Sequence, residues 1–324
     1  MASLLLPGNV DCIAPLPNGQ LAVGLSTFTG ELWTGAIALV DADGLHLQSL
    51  VETLAGVPAL AVLERPDQFT GRRVLASGGD DGSVDLWFLQ PHAAGDSQTL
   101  QRTQTKVLHN GAVLALAAAA DDTRLASASA DGTLRLWDCN QLLACTAQLG
   151  GGDSVGGSAA LNAVAWTADH TVATVGQTGQ LCMWDARQLS STPAAAAAVG
   201  APGLSLAVRD ASQGQLAVGD LLGRVAVYDC RSLGQPVQQK QLHQDAVHSL
   251  ASTRSGSGSL VASGGDDGAV MLLDCSCLGA SRQLVGVKGA GETPCYIRAL
   301  AWQKQQPQRL YRGGWDQTIA TVAL

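Results

Sequence analysis

The chain has 324 residues, of which 46% are hydrophobic and 14% charged, and its formal net charge is −8 at pH 7. This composition is typical of a folded protein with a sizeable core, and the acidic balance argues against nucleic-acid binding, which needs clustered Lys and Arg. The apolar runs fall short of the roughly 20 residues of a membrane span, and residues 1–6 do not resemble a signal peptide. We therefore expect a protein of the cytoplasm and nucleus.

One hairpin pattern recurs along the whole chain. Its fullest copy, residues 124–139 (RLASASADGTLRLWDC), has an alternating strand, an Asp-Gly turn and a second strand that ends in Trp-Asp. The turn glycine or its substitute returns every 44 to 50 residues, at Gly35, Gly82, Gly132, Gly179, Gly223, Gly268 and Gln317. Such a period with a closing Trp-Asp is typical of a β-propeller blade. The sequence predicts an all-β, seven-bladed propeller that occupies residues 1–324 as a single domain, and it resembles the WD-repeat family throughout.

The two ends of the chain are predicted to share the last blade. Each blade should contain four antiparallel strands, a to d from the axis outward, with the repeated hairpin joining b to c. In the seventh repeat, residues 318–324 form strand c and leave no later residues for strand d. Residues 2–6 are the available substitute, and their addition would close the ring without open sheet edges.

Blade one departs from the repeat between its strands b (residues 20–25) and c (residues 36–41). The inserted segment, residues 26–34, is expected to form a long loop, and it contains Phe28, Glu31, Leu32 and Trp33. Large apolar side chains on a loop are typical of a binding hot spot. The alternative is that Trp33 folds back over its own blade.

Blade three contains His109, Ser127, Asp131 and Trp137. The resemblance to WD-repeat proteins implies that these four side chains form a buried hydrogen-bond chain from His to the indole N–H. The same residue types occur in hydrolase triads, but Ser127 lacks a nucleophile-elbow context, and partial copies of the set recur in other blades. We therefore expect a structural network, no catalytic residues and no enzymatic activity.

Blade four tests the repeat against local propensity. Residues 194–198 are five consecutive alanines, which favour a helix. The repeat nevertheless places an outer strand there, and we follow the repeat.

Cysteines and histidines give no sign of a metal or a cofactor. Cys139, Cys230 and Cys275 share one repeat position on different blades, too far apart for disulfides. Cys275 and Cys277 form a close pair, but it lacks a second pair or a His at zinc-ligand spacing. We expect reduced thiols, no metal site and no cofactor.

Blade seven places Trp315 in a b–c connection, on the same face as Trp33 and one blade away across the ring closure. Two tryptophans on neighbouring connections favour a binding patch on this face. Acidic residues share the b–c turns of several blades: Asp80, Asp81, Asp220, Asp266, Asp267 and Asp316. Turn chemistry explains most of them, and an acidic rim that attracts Arg-rich tails is a second possibility.

Two stretches of the sequence indicate a more specific resemblance within the WD-repeat family. The segments LAVGLSTFTGELWTGAIALV of blade one and YIRALAW with GGWDQTIATVAL of blade seven are similar to the methylosome WD-repeat subunits, partners of the type II protein arginine methyltransferase. This resemblance implies a non-catalytic subunit that docks the enzyme through Trp33 and presents Arg/Gly-rich substrates such as histones and Sm proteins. The alternative is a structural scaffold of another assembly, such as a nuclear-pore subcomplex.

Overall fold

The computed structural model describes residues 2–30, 32–64, 74–91, 98–141, 143–150, 159–188, 190–210, 214–253, 260–274, 281–285, 295–303, 306 and 308–324. These residues form seven four-stranded antiparallel sheets, which confirms the prediction of an all-β, seven-bladed propeller. Within the described ranges there is no helix, and so none that is long and apolar enough to cross a membrane.

The strands follow one another blade by blade. Blade one contains β2 (Asn9–Pro15), β3 (Gln20–Thr29), β4 (Leu32–Asp41) and β5 (His46–Thr53); blade two contains β6 (Ala59–Leu63), β7 (Val74–Gly78), β8 (Ser83–Pro91) and β9 (Gln98–Val107). Blade three contains β10 (Val113–Ala118), β11 (Arg124–Ser129), β12 (Thr133–Asp138) and β13 (Ala144–Gly150); blade four contains β14 (Leu161–Ala168), β15 (Thr171–Gly176), β16 (Gln180–Asp185) and β17 (Ala195–Ala198). Blade five contains β18 (Gly203–Asp210), β19 (Gln215–Asp220), β20 (Arg224–Asp229) and β21 (Gln238–Gln241); blade six contains β22 (Val247–Ser252), β23 (Leu260–Gly265), β24 (Val270–Asp274) and β25 (Ser281–Val285). Blade seven contains β26 (Ile297–Trp302), β27 (Leu310–Gly314), β28 (Thr318–Val322) and β1 (Ser3–Leu5).

The N-terminal strand closes the ring as predicted. β1 pairs antiparallel with β28, with Ser3 opposite Ala320 and Leu5 opposite Thr318. The backbone N–H of Leu6 then donates to the carbonyl of Gln317 at 2.8 Å, and the Leu6 side chain is buried. The edge of β28 is therefore covered by residues from the other end of the chain.

The alanine run of blade four forms a strand. β17 (Ala195–Ala198) pairs with β16, with Ala195 opposite Met183 and Ala198 opposite Gln180. Alanine favours a helix in isolation, but the unpaired edge of β16 offers the backbone hydrogen bonds that the repeat requires. Tertiary context decides the conformation here.

The core lies between neighbouring sheets. Trp137 of blade three, for example, belongs to one buried cluster with Leu63 and Val74 of blade two. Each large side chain that is buried in this way contributes about 1.5–3 kcal/mol of apolar transfer free energy. Adjacent blades therefore stabilise each other.

The b–c turns follow the predicted repeat in six blades. The turn glycines of blades two to six have φ between 67° and 84°, and Gln317 adopts φ 59° in blade seven. The expected turn at Gly35 of blade one is wrong. Gly35 lies inside β4 opposite Ser26, and the left-handed turn residue is Gly30, with φ 68°. The turn moves because the two strands stay paired five residues beyond the usual position.

Candidate interaction surface

Blade one has a projecting hairpin where the sequence predicted a loop. β3 and β4 remain in register up to the pair Thr29–Leu32, so the inserted residues continue the sheet. Phe28 lies directly opposite Trp33, and their ring centroids are 5.1 Å apart. Cross-strand aromatic pairs stabilise such a hairpin. The inserted residues therefore form a paired hairpin and not the predicted loop, and the hairpin carries the apolar side chains.

The apolar side chains of this hairpin face solvent. The exposed fraction is 56% for Phe28, 69% for Leu32 and 48% for Trp33. Trp33 packs against Phe28 and is not folded away into the blade. Glu31, the fourth candidate, lies outside the described residues. We call Phe28, Leu32 and Trp33 the hairpin patch.

Trp315 is held at the rim of the same face, in the turn between β27 and β28. Its indole N–H donates to a carboxylate oxygen of Asp11 at 2.9 Å, and the guanidinium carbon of Arg298 lies 4.4 Å from its ring centroid. Tyr296 packs against it edge to face, with centroids 6.0 Å apart. The side chain is 40% exposed, so part of it stays accessible while these contacts hold it in place.

Both tryptophans line one central cavity of about 1090 Å³. Its lining includes residues from the innermost strand of each of the seven blades and residues of b–c connections. The structure thus brings Trp33 and Trp315 to a common opening, together with Asp80 and Asp81 of the blade-two turn. Such concave sites with a few polar groups are typical of ligand and peptide binding.

Two residues of this opening were missed in the sequence. Leu54, in the connection between blades one and two, is 84% exposed and lines the cavity. Asp11 stands near the start of an inner strand, where the repeat gives it no distinctive position. Only the ring closure, which brings blade seven beside blade one, reveals its bond with Trp315.

Burial perturbs the acidic side chains of the opening. Desolvation raises the pKa of Asp11 to about 6, against hydrogen bonds from Ser26 and Trp315 that lower it. Partial burial, and then the neighbouring charge of Asp81, raise the pKa of Asp80. These carboxylates lie in an environment that favours either protonation or a compensating cation.

The four blade-three residues form one connected network. Trp137 Nε1 donates to Ser127 Oγ at 2.8 Å, and Ser127 Oγ lies 2.7 Å from His109 Nε2. His109 Nδ1 lies 3.2 Å from a carboxylate oxygen of Asp131. A neutral imidazole with its proton on Nδ1 satisfies all these contacts, with Ser127 donating to Nε2.

The pKa shifts of His109 and Asp131 favour a structural role for this network over a catalytic one. Burial lowers the pKa of His109, which keeps the imidazole neutral. Burial works to raise the pKa of Asp131, but hydrogen bonds from Thr133 and Asn110 bring it below its usual value. His109 and Ser127 are both buried. These contacts link the b–c turn of blade three, which contains Asp131, to the connection from blade two, which contains His109.

Partial copies of the network occur in three other blades. In blade two, Trp87 donates to Ser77 at 2.8 Å; in blade four, Trp184 donates to Thr174 at 2.9 Å. In blade six, His243 contacts Ser263 and Asp267 without a tryptophan. The blade-four pair was missed because Thr replaces the expected Ser.

Cysteines and metal-ligating residues form no cluster among the described residues. Cys12, Cys139, Cys145, Cys182, Cys230 and Cys295 are free thiols. No group of three or more His, Cys, Asp or Glu within the described ranges could hold a metal ion. Cys275 and Cys277 lie outside those ranges.

Comparison with known protein families identifies the repeat. The WD domain, G-beta repeat family matches residues 101–138 and 234–274, which cover the hairpins of blades three and six. No match was found among curated protein sequences. Propellers of this class are generally non-catalytic scaffolds that bind partner proteins. The chain therefore has the fold of a seven-bladed β-propeller, and two of its segments match the WD-repeat family.

Proposed function

We propose that the chain is a non-catalytic subunit of a protein arginine methyltransferase complex and binds the enzyme through the hairpin patch. The observation that carries the proposal is the exposed Phe28–Trp33 pair on a hairpin that projects beyond its blade. Exposed aromatic side chains on a rigid support lose little conformational entropy on binding. They are the residue types that dominate binding energy at protein interfaces.

The choice of a methyltransferase as partner is supported by the resemblance of the blade-one and blade-seven segments to the methylosome WD-repeat subunits. In this role the chain would support symmetric dimethylation of Arg/Gly-rich tails, such as those of histones and Sm proteins, in the cytoplasm and nucleus. The acidic net charge of −8 favours contact with such basic substrates.

A titration tests the docking hypothesis directly. Trp33→Ala should leave the fold intact and weaken binding of a purified type II arginine methyltransferase by at least about 2 kcal/mol, or roughly 30-fold. Leu47→Ala is a matched control, because Leu47 is also exposed on blade one but lies at the opposite end of the blade. Equal affinities of wild type and Trp33→Ala would remove the hypothesis.

A further inference from the structure

The hairpin patch lies on a part of blade one that extends beyond the pairing of the blade's other strands. Ser26 is the last residue of β3 that pairs with β2, opposite Asn9, and Gly35 is the last residue of β4 that pairs with β5, opposite Thr53. Beyond these two pairs, β3 and β4 continue as a two-stranded ribbon. Such a ribbon is only marginally stable by itself, so the contacts at its base decide how firmly it is held.

Gly35 lets the connection between blades one and two pass close to this base. A Cβ at Gly35 would lie 2.7 Å from the carbonyl oxygen of Leu25 and nearer still to the carbonyl oxygen of Ala55. Both carbonyls accept hydrogen bonds from the connection itself. The hydroxyl of Thr53 donates to Ala55 at 2.7 Å, and the backbone N–H of Val57 donates to Leu25 at 3.2 Å. A side chain at position 35 would therefore force the connection and the ribbon apart.

Two further glycines bring neighbouring connections against the same base. A Cβ at Gly56, in the connection between β5 and β6, would lie 3.1 Å from Cβ of Ser26 and would overlap the carboxylate of Asp80. A Cβ at Gly8, in the connection between β1 and β2, would lie 2.5 Å from Oγ1 of Thr27 and 2.9 Å from the carbonyl oxygen of Ser26. The first residues of the ribbon are therefore packed too closely to admit a side chain at either position.

Close approach, and not backbone conformation, explains these glycines. None of the three has a φ in the left-handed region, so alanine could adopt the same backbone angles. The turn of the hairpin lies at Gly30, with φ 68°, and does not need glycine at position 35.

We propose that Gly8, Gly35 and Gly56 are positioning residues that hold the hairpin patch in the direction needed for docking. The partner then meets Phe28 and Trp33 already in place, and binding avoids the entropy cost of ordering a mobile hairpin. This inference deepens the proposed function and rests on it for the identity of the partner, the methyltransferase.

Hydrogen exchange of the free, full chain, followed by mass spectrometry, tests the positioning without a partner. Gly35→Ala and Gly8→Ala should each speed amide exchange in residues 26–35 and leave blades three to five unchanged. Gly234→Ala is the matched control, because Gly234 is exposed between β20 and β21 and a Cβ there would meet no described atom within 4 Å. Adding Thr27→Ala to Gly8→Ala removes the nearest atom and should restore part of the slow exchange.

Binding kinetics with a purified type II arginine methyltransferase test whether the held position matters for docking. Only chains with a correctly placed hairpin can bind, so Gly8→Ala should lower the association rate constant about tenfold and leave the dissociation rate constant near that of wild type. Trp33→Ala removes a contact and should mainly raise the dissociation rate constant. Gly234→Ala should change neither.

Unchanged exchange of residues 26–35 in Gly8→Ala would overturn the inference, as would an equal increase in Gly234→Ala. Wild-type association by a variant with increased exchange, or a loss of affinity due to faster dissociation alone, would also overturn it. Thermal melting checks each fold; if Gly35→Ala does not fold, Gly8→Ala and its Thr27→Ala rescue decide.

The two experiments separate this inference from the proposed function. A wild-type chain that does not bind the methyltransferase refutes the proposed function. Hydrogen exchange still decides whether the glycines hold the hairpin, because it is measured on the free chain.

Discussion

Truncation of Trp137 tests whether the blade-three network stabilises the fold. The side chain is completely buried, packs with Leu63 and Val74 of the neighbouring blade, and donates to Ser127 at 2.8 Å. Trp137→Ala removes these contacts and leaves a cavity, so it should lower the free energy of unfolding by about 3–5 kcal/mol.

A second substitution separates the packing from the hydrogen bond. Trp137→Phe keeps much of the apolar contact but removes the N–H donor. Ser127 Oγ retains its contact with His109 at 2.7 Å, so the lost bond itself should cost only about 0.5–1.5 kcal/mol. The smaller ring adds a further packing loss, but Trp137→Phe should remain clearly more stable than Trp137→Ala.

Urea unfolding, followed by circular dichroism and by fluorescence, measures these differences as shifts of the midpoint at constant slope. Trp33→Ala is the control: its side chain is half-exposed, so it should change stability by less than about 0.5 kcal/mol. A Trp137→Ala variant within about 1 kcal/mol of wild type would refute the reasoning.

Three further predictions concern the rim and the ring closure. Burial raises the pKa of Asp11 from 3.8 to about 6, so the contribution of this side chain to stability is lost as pH rises through 6. Asp11→Asn still accepts a hydrogen bond from Trp315 and should raise the free energy of unfolding near neutral pH by about 1–3 kcal/mol. Near pH 4 this gain should vanish. Deletion of residues 2–6 uncovers β28 and should lower the melting temperature; an unchanged melt would contradict the closure. Gln317→Gly relieves a left-handed conformation and should stabilise the fold by up to about 1 kcal/mol in urea unfolding, whereas a loss would contradict this.

The repeat made the fold predictable because its period, turn glycines and closing Trp-Asp all favour the same blade. It correctly placed a strand at residues 195–198 against helix propensity, since pairing with β16 outweighs local preference. It failed at Gly35. The repeat spacing aligned this residue with the other turn glycines, but β3 and β4 stay paired as far as Thr29 and Leu32, so the turn lies at Gly30.

The candidate surface was predictable only in part. Trp33 and Trp315 stood out because each places a large aromatic residue where the repeat expects a polar turn. Asp11 lies 304 residues from Trp315 in sequence, so their hydrogen bond depends on the closed ring. Leu54 lies in an ordinary connection, and its importance comes from exposure beside the cavity. These residues become neighbours only when the ring closes, and a local sequence pattern does not predict such distant contacts.

The central claim is that the hairpin patch binds an arginine methyltransferase. The most direct test is purification of the tagged chain and its Trp33→Ala variant from the native cell, with the stoichiometry of bound proteins measured by mass spectrometry. We predict that a type II arginine methyltransferase accompanies the wild-type chain in stoichiometric amount and is lost from the variant. Its absence from the wild-type complex, its equal retention by the variant, or nuclear-pore subunits in its place would contradict the account.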